Sequence, residues 1–305
     1  MIKVRSNAVL GLLLLVLYGC TKEDLSVCGL YVVFKYDYNM AEYDKFPSDI
    51  DKIDLFVFDQ NNVFVGEYID EGDHLDNTYR MHLDLPPGVY NLIAWGNLRD
   101  DYNITQLTPG VTTLEDARLS LKTDDNGHVQ QHPAHLYHGS AMQVLVKPDK
   151  RHTEIVDMMK NTNLVRITAT GLPIGPATRT APGTPFSCRI LGVNGNYNFD
   201  NSLQGSDQLI YVPQYNVQSN TLISEFVVMR IFLDGQSRII VEYHPEDAVQ
   251  PVVLFNERLV EFIPPGTDLD KQDEYEIELN FDRTFTAISI TVNGWTTVLS
   301  GVVVG

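Results

Sequence analysis

Beyond residue 28 the apolar side chains fall at every second position or in short unbroken runs, and almost nowhere at helical spacing. LYVVFKY (30–36) and IDLFVFD (53–59) are rich in β-branched and aromatic residues and carry apolar side chains on both faces, as strands inside a sandwich do. Asp59-Gln60-Asn61-Asn62 predicts a turn and VFVGEYI (63–69) its returning hairpin partner. TYRMHLDL (78–85), the turn Pro86-Pro87-Gly88 and VYNLIAW (89–95) predict a second hairpin. In its second strand Val89, Asn91, Ile93 and Trp95 share one face, and Tyr90, Leu92 and Ala94 the other. Residues 97–135 are irregular, apart from one short helix expected over 113–121 with Thr113 as N-cap. MQVLVKP (142–148) resumes strand character.

Around Lys150 to Asn163 the chain turns polar between two β-patterned halves, which places a domain boundary there. The later half alternates more cleanly: Tyr275, Ile277, Leu279 and Phe281 oppose Glu276, Glu278 and Asn280, the signature of one buried and one wet face. TAISITV (286–292), FVVMRIFL (226–233), RIIVEY (238–243) and VVLF (252–255) supply further strands, with Asp234-Gly235 as a hairpin signal. The expected architecture is all-β, with one sandwich over 29–155 and another over 156–305.

The start of the chain changes where that body can act. Lys3 and Arg5 precede an eleven-residue apolar run, Ala8 to Tyr18, too short to span a bilayer core that needs about 20 helical residues. With Gly19-Cys20 closing it, residues 1–19 read as a lipoprotein signal peptide and Cys20 as the lipidated new N-terminus. An ordinary signal peptide with an incidental cysteine is the alternative. Two or more acyl chains hold a protein stably on a membrane where one does not, so Cys20 implies an outer-membrane lipid anchor with residues 20–28 as tether. Lys22-Glu23-Asp24 resembles the acidic export tag of surface-displayed lipoproteins.

Charge narrows the partners. The 305 residues carry a net charge of −18; residues 1–19 take Lys3 and Arg5 with them, leaving 20 basic against 40 acidic groups, or −20. Such a body repels nucleic acid and anionic membrane, so no nucleic-acid partner is expected. With Cys20 acylated, Cys28 and Cys188 either pair as a disulfide in an oxidising compartment or stand as two separate buried thiols.

His128, His132, His135 and His138 form the one dense group of ligand-type side chains. Helical spacing would align them for zinc, but Pro133 interrupts that helix, and a solvated, acid-responsive loop is the expectation. Asp124-Asp125-Asn126-Gly127 lacks the spaced ligands of a calcium loop and reads as a turn. Trp95 and Trp295 sit in strand contexts that predict core packing over sugar stacking. No phosphate loop, nucleophile elbow or acid pair stands out, so neither catalysis nor a metal or cofactor is expected.

YDYNM (36–40) followed by FPSDIDKIDLFVFD (46–59), behind Cys20, an acidic tether and Cys28, resembles the fimbrillin-associated anchor lipoproteins of Bacteroidetes-type fimbriae. PPGVYNLIAWGN (86–97), KNTNLVRITATGL (160–172) and, more thinly, VNGWTTV (292–298) are similar to the same family. The resemblance implies two tandem transthyretin-like, Greek-key β-sandwich domains, no catalysis, and a fimbrial shaft subunit joined by strand exchange. The apolar VLSGVVV (298–304) is then either the exchanged strand or the chain's own last strand. The competing reading is a glycan- or protein-binding surface lipoprotein without a fibre.

Overall fold

The computed structural model describes residues 29–148, 150–174, 184–205, 207–218, 221–233, 235–247 and 249–299. Nearly all of the regular structure is β. The strands are β1 (Gly29–Lys35), β2 (Lys52–Asp59), β3 (Phe64–Glu71), β4 (Met81–Leu83), β5 (Gly88–Gly96), β6 (Tyr102–Ile104), β7 (Arg118–Leu121), β8 (His128–Val129), β9 (Tyr137–Val146) and β10 (Arg151–Lys160). They continue with β11 (Thr162–Thr170), β12 (Phe186–Gly192), β13 (Asn196–Asn198), β14 (Leu209–Tyr211), β15 (Gln214–Gln218), β16 (Thr221–Met229), β17 (Arg238–Tyr243), β18 (Val252–Arg258), β19 (Glu274–Phe281), β20 (Ala287–Val292) and β21 (Trp295–Val298).

The first sheet runs β3-β2-β5-β9-β10-β1-β4. Strand β10 first runs parallel to β1 through Arg151–Asp157, along the whole of β1, and then crosses to pair with β9 through Met158–Lys160. The sheet therefore folds over itself, and Leu30, Val32 and Phe34 of β1 meet Leu55 and Val57 of β2 and Leu92 and Ala94 of β5 in one core. β2 is buried on both faces, as its unbroken apolar run predicts: Phe56 and Phe58 point away from that core into a second one, joined by Ile93 and Trp95 of β5. β1 differs, with alternating buried and half-buried positions.

The second core is enclosed by a six-stranded sheet, β15-β16-β11-β19-β20-β21, and a five-stranded one, β18-β17-β12-β14-β8. Val165 and Ile167, Phe226, Ile239 and Val241, Ile277 and Leu279 fill it. The polar residues that follow β10 are packed inside the protein. Asn161, Thr162 and Asn163 are buried, Asn163 donating to the Gln272 carbonyl and accepting from the Ile231 amide.

Several local expectations are corrected. The 113–121 stretch is a turn closed by Thr113 Oγ1 on Asp116 (2.6 Å), followed by β7. Leu119 and Leu121 alternate with Arg118 and Ser120, so two-fold spacing and pairing to both β6 and β13 outweigh helix propensity. Pro86-Pro87-Gly88 joins β4, which pairs with β1, to β5, which pairs with β2 and β9; it crosses between layers and makes no hairpin. Gly235 likewise lies between β16 and β17, which belong to different sheets. Its neighbour Asp234 falls outside the described residues.

Candidate functional site

Cys20, Cys28, the leader and the tether lie outside the described residues. Cys188 is buried on the inward face of β12 with Phe186 and Ile190 and has no disulfide partner among the described residues, which do not include Cys28; as a thiol its pKa is pushed up to about 12 by desolvation. As a thiol it is chemically inert at neutral pH.

The histidine group is not a solvated loop. Through β7 and β8 the segment packs on the second half of the chain, and three of the four imidazoles, those of His132, His135 and His138, are drawn into that contact. His138 is buried edge-on against Trp95 with Nε2 2.9 Å from the Phe199 carbonyl. His135 meets Thr162 Oγ1 at 3.0 Å and His132 the Glu225 carbonyl at 2.8 Å, while His128 sits by the Asp124 carboxylate. Their distinct partners keep them apart, and no group of three or more carboxylates, thiols or imidazoles converges on a metal position among the described residues. Asp124 does cap a turn, accepting from the backbone amides of Asn126 and His128. Trp95 is core, as predicted, but Trp295 is 52% exposed because β21 is the edge of its sheet.

An open groove of about 490 Å³ lies in the second half between β18 and the β20–β21 edge. Its lining includes Val253, Leu254, Phe255, Phe262, Ala287 and Leu299. β18 pairs only with β17 among the described residues, and a register shift opposite Val241/Glu242 leaves Leu254 unpaired as a bulge. Opposite it, Leu299 is fixed by its amide on the Ile288 carbonyl at 3.0 Å. Val252 and Val253 stay about half exposed at this edge, while Phe255 and Phe262 form a buried floor. Glu257 is the sole titratable side chain in the lining. Such a surface offers backbone pairing and apolar contact; it holds no acid–base pair. VVLF is the strand the sequence predicts, but that reading did not show its place at a sheet edge. The available signal was an apolar run without alternation, Val252-Val253-Leu254, next to Pro251. Of the C-terminal run 298–304, Val298 ends β21, Leu299 lines the groove, and 300–304 lie outside the described residues.

Known proteins place this chain. The profile of the family described as fimbrillin-A associated anchor proteins Mfa1 and Mfa2 matches residues 25–301. The minor fimbrium anchoring subunit Mfa2 of Porphyromonas gingivalis is 22% identical over 284 residues, covering 88% of this chain and 84% of that one. A crystal structure of the Mfa2 anchor from that organism superposes with a TM-score of 0.76, at 22% identity, over 88% of this chain and 98% of the other. A Bacteroides thetaiotaomicron structure, provisionally described as polysaccharide-binding, gives a TM-score of 0.79 at 30% identity, over 90% and 98% of the two chains. A family profile spanning almost the whole described chain shows the relationship: the chain belongs to the fimbrillin-A associated anchor protein family.

Proposed function

We propose that this protein is a non-catalytic outer-membrane lipoprotein that anchors a fimbria. Residues 1–19 direct export and are removed, lipid on Cys20 holds the chain in the outer membrane, and the two sandwiches, 29–155 and 156–305, face outward. A fimbrial shaft subunit joins by β-strand addition, and no nucleic acid or cofactor takes part. The carrying observation is the family relationship over residues 25–301; the apolar groove between β18 and β21 supports strand addition in particular, since it pairs a sheet edge that no described strand fills with a hydrophobic floor. A permanently attached subunit fits this body, because a lipid at residue 20 leaves only a short tether before β1.

The test uses native cells fed an alkyne fatty acid. The protein should carry the label and stay in the membrane fraction, and Cys20→Ala should lose both. Crosslinking on intact cells should capture the shaft subunit with the wild type. Unlabelled native protein, or Cys20→Ala remaining equally membrane-bound, overturns the anchoring; absence of the shaft subunit from the crosslinked complex overturns its role in the fibre.

A further inference from the structure

Arginines in this acidic protein are held close to carboxylates: Arg99 to Asp51 at 2.6 Å, Arg166 to Glu225 at 2.7 Å, Arg189 to Glu242 at 2.8 Å and Arg230 to Asp270 at 3.0 Å. Two arginines of the β17–β18 pair are not. Arg238 and Arg258 are direct cross-strand partners, so their side chains leave the sheet on the same face. Arg238 donates to the Asn256 side chain at 2.7 Å and to the Asn256 carbonyl at 2.5 Å, and Arg258 donates to the Gly235 carbonyl at 2.9 Å. Among the described residues, only the half-exposed Glu261 brings a carboxylate into ion-pair range of either, 3.8 Å from Arg258. Arg258 Nε is buried without a hydrogen-bond partner. Like charges directly opposite each other destabilise a sheet, so this pair calls for a negative group beside it.

The edge of β18 that no described strand fills is where such a group can arrive. Alternation along β18 puts Phe255 and Glu257 on the groove side, opposite the core residues Val241 and Ile239. Asn256 and Arg258 then lie on the outer side, with Arg238. A strand laid along this edge brings one outer residue directly opposite Arg258, with Cβ atoms about 5 Å apart. A carboxylate there closes a row with Arg238 and Arg258. Glu257 guards the register. A slip of one residue turns that carboxylate to the groove side, beside Glu257 and over the apolar floor of Phe255 and Phe262, and puts the strand's apolar residues in water.

We propose that the strand added to β18 carries an acidic residue opposite Arg258, and that Arg258 and Glu257 together fix its register. This rests on strand addition at β18 and names what that edge selects. Apolar burial and backbone pairing hold the strand, and the charges choose its alignment.

The experiment titrates the full-length protein, purified from membranes in detergent, into fluorescent peptides followed by anisotropy. The parent peptide, acetyl-Ser-Val-Thr-Val-Glu-Val-Thr-Val-Ser amide, alternates apolar and polar positions around one glutamate. Two others carry glutamine or lysine in its place, and a fourth exchanges the glutamate with the valine that follows it. The glutamate peptide should bind about threefold tighter than the glutamine peptide, the lysine peptide more weakly than either, and the exchanged peptide most weakly. Arg258→Glu should reverse the order, with lysine now preferred, and Val253→Asp should weaken every peptide by about tenfold or more. Equal binding of the glutamate, glutamine and lysine peptides, or an order that Arg258→Glu leaves unchanged, overturns the register assignment. In that case a loss of all binding in Val253→Asp leaves strand addition standing. Failure of every peptide to bind overturns strand addition at this edge, and the assignment falls with it.

Discussion

At the scale of single residues, the histidines carry the clearest titratable consequence. Burial pushes the pKa of His138 down to about 4, with Arg230 adding to the effect; burial likewise holds His135 at about 4, with Lys160 adding to it. Both imidazoles are therefore neutral in the fold at pH 7 and near 6.5 in the unfolded chain. A depressed folded pKa means the unfolded state takes up protons first as pH falls. The stabilisation is complete above about pH 6.5 and is lost between there and about pH 4, at up to ~1.4 kcal/mol per pH unit for each histidine. Urea midpoints measured from pH 8 to pH 4 should be flat at first and then decline, and His138→Gln should make the decline shallower. A midpoint independent of pH down to 4.5 would contradict the buried neutral state. The sequence showed the four histidines and the proline that forbids a helical zinc site. It could not show that β7 and β8 pair with β13 and β14, and that pairing decides which imidazoles leave water.

At the scale of elements, two-sided burial was the most readable feature. IDLFVFD and VYNLIAW have no polar face, and each forms a strand with one set of side chains in either core. Phe56→Ala should accordingly cost about 3–5 kcal/mol by denaturant unfolding, whereas Val65→Ala on the exposed face of edge strand β3 should stay within about 1 kcal/mol. Similar losses at the two positions would mean that β2 does not lie between two cores. Connections were less legible, for a physical reason. A Pro-Pro-Gly turn fixes local backbone direction, but whether the next strand pairs with the last depends on contacts far along the chain. Here β4 is claimed by β1 and β5 by β2 and β9, so the turn bridges two layers. Trp295 failed in the same way: its pattern is that of a strand, and only the order β19-β20-β21 makes it an edge.

At the scale of the whole molecule, the proposed anchor has a strongly acidic body, which leaves few ways to hold a fibre. Surface charge pairing is screened beyond about 10 Å in ordinary salt, so a lasting junction must come from buried apolar area and backbone pairing. The β18 groove offers both, and it also predicts how to separate assembly from folding. Val253 is 52% exposed in the isolated subunit, so Val253→Asp should change its stability by no more than about 0.5 kcal/mol. With a partner strand laid over Phe255 and Phe262, the same carboxylate would be taken out of water without a counter-charge in the lining, a far larger cost. If strand addition at this groove holds the fibre, cells carrying Val253→Asp should display the protein at normal levels, with normal unfolding of the purified chain, while shedding fibres into the medium and losing the proposed crosslink to the shaft subunit. Normal fibre retention by that variant would show that the shaft docks elsewhere, and would direct attention to further sheet edges such as β3 and β15.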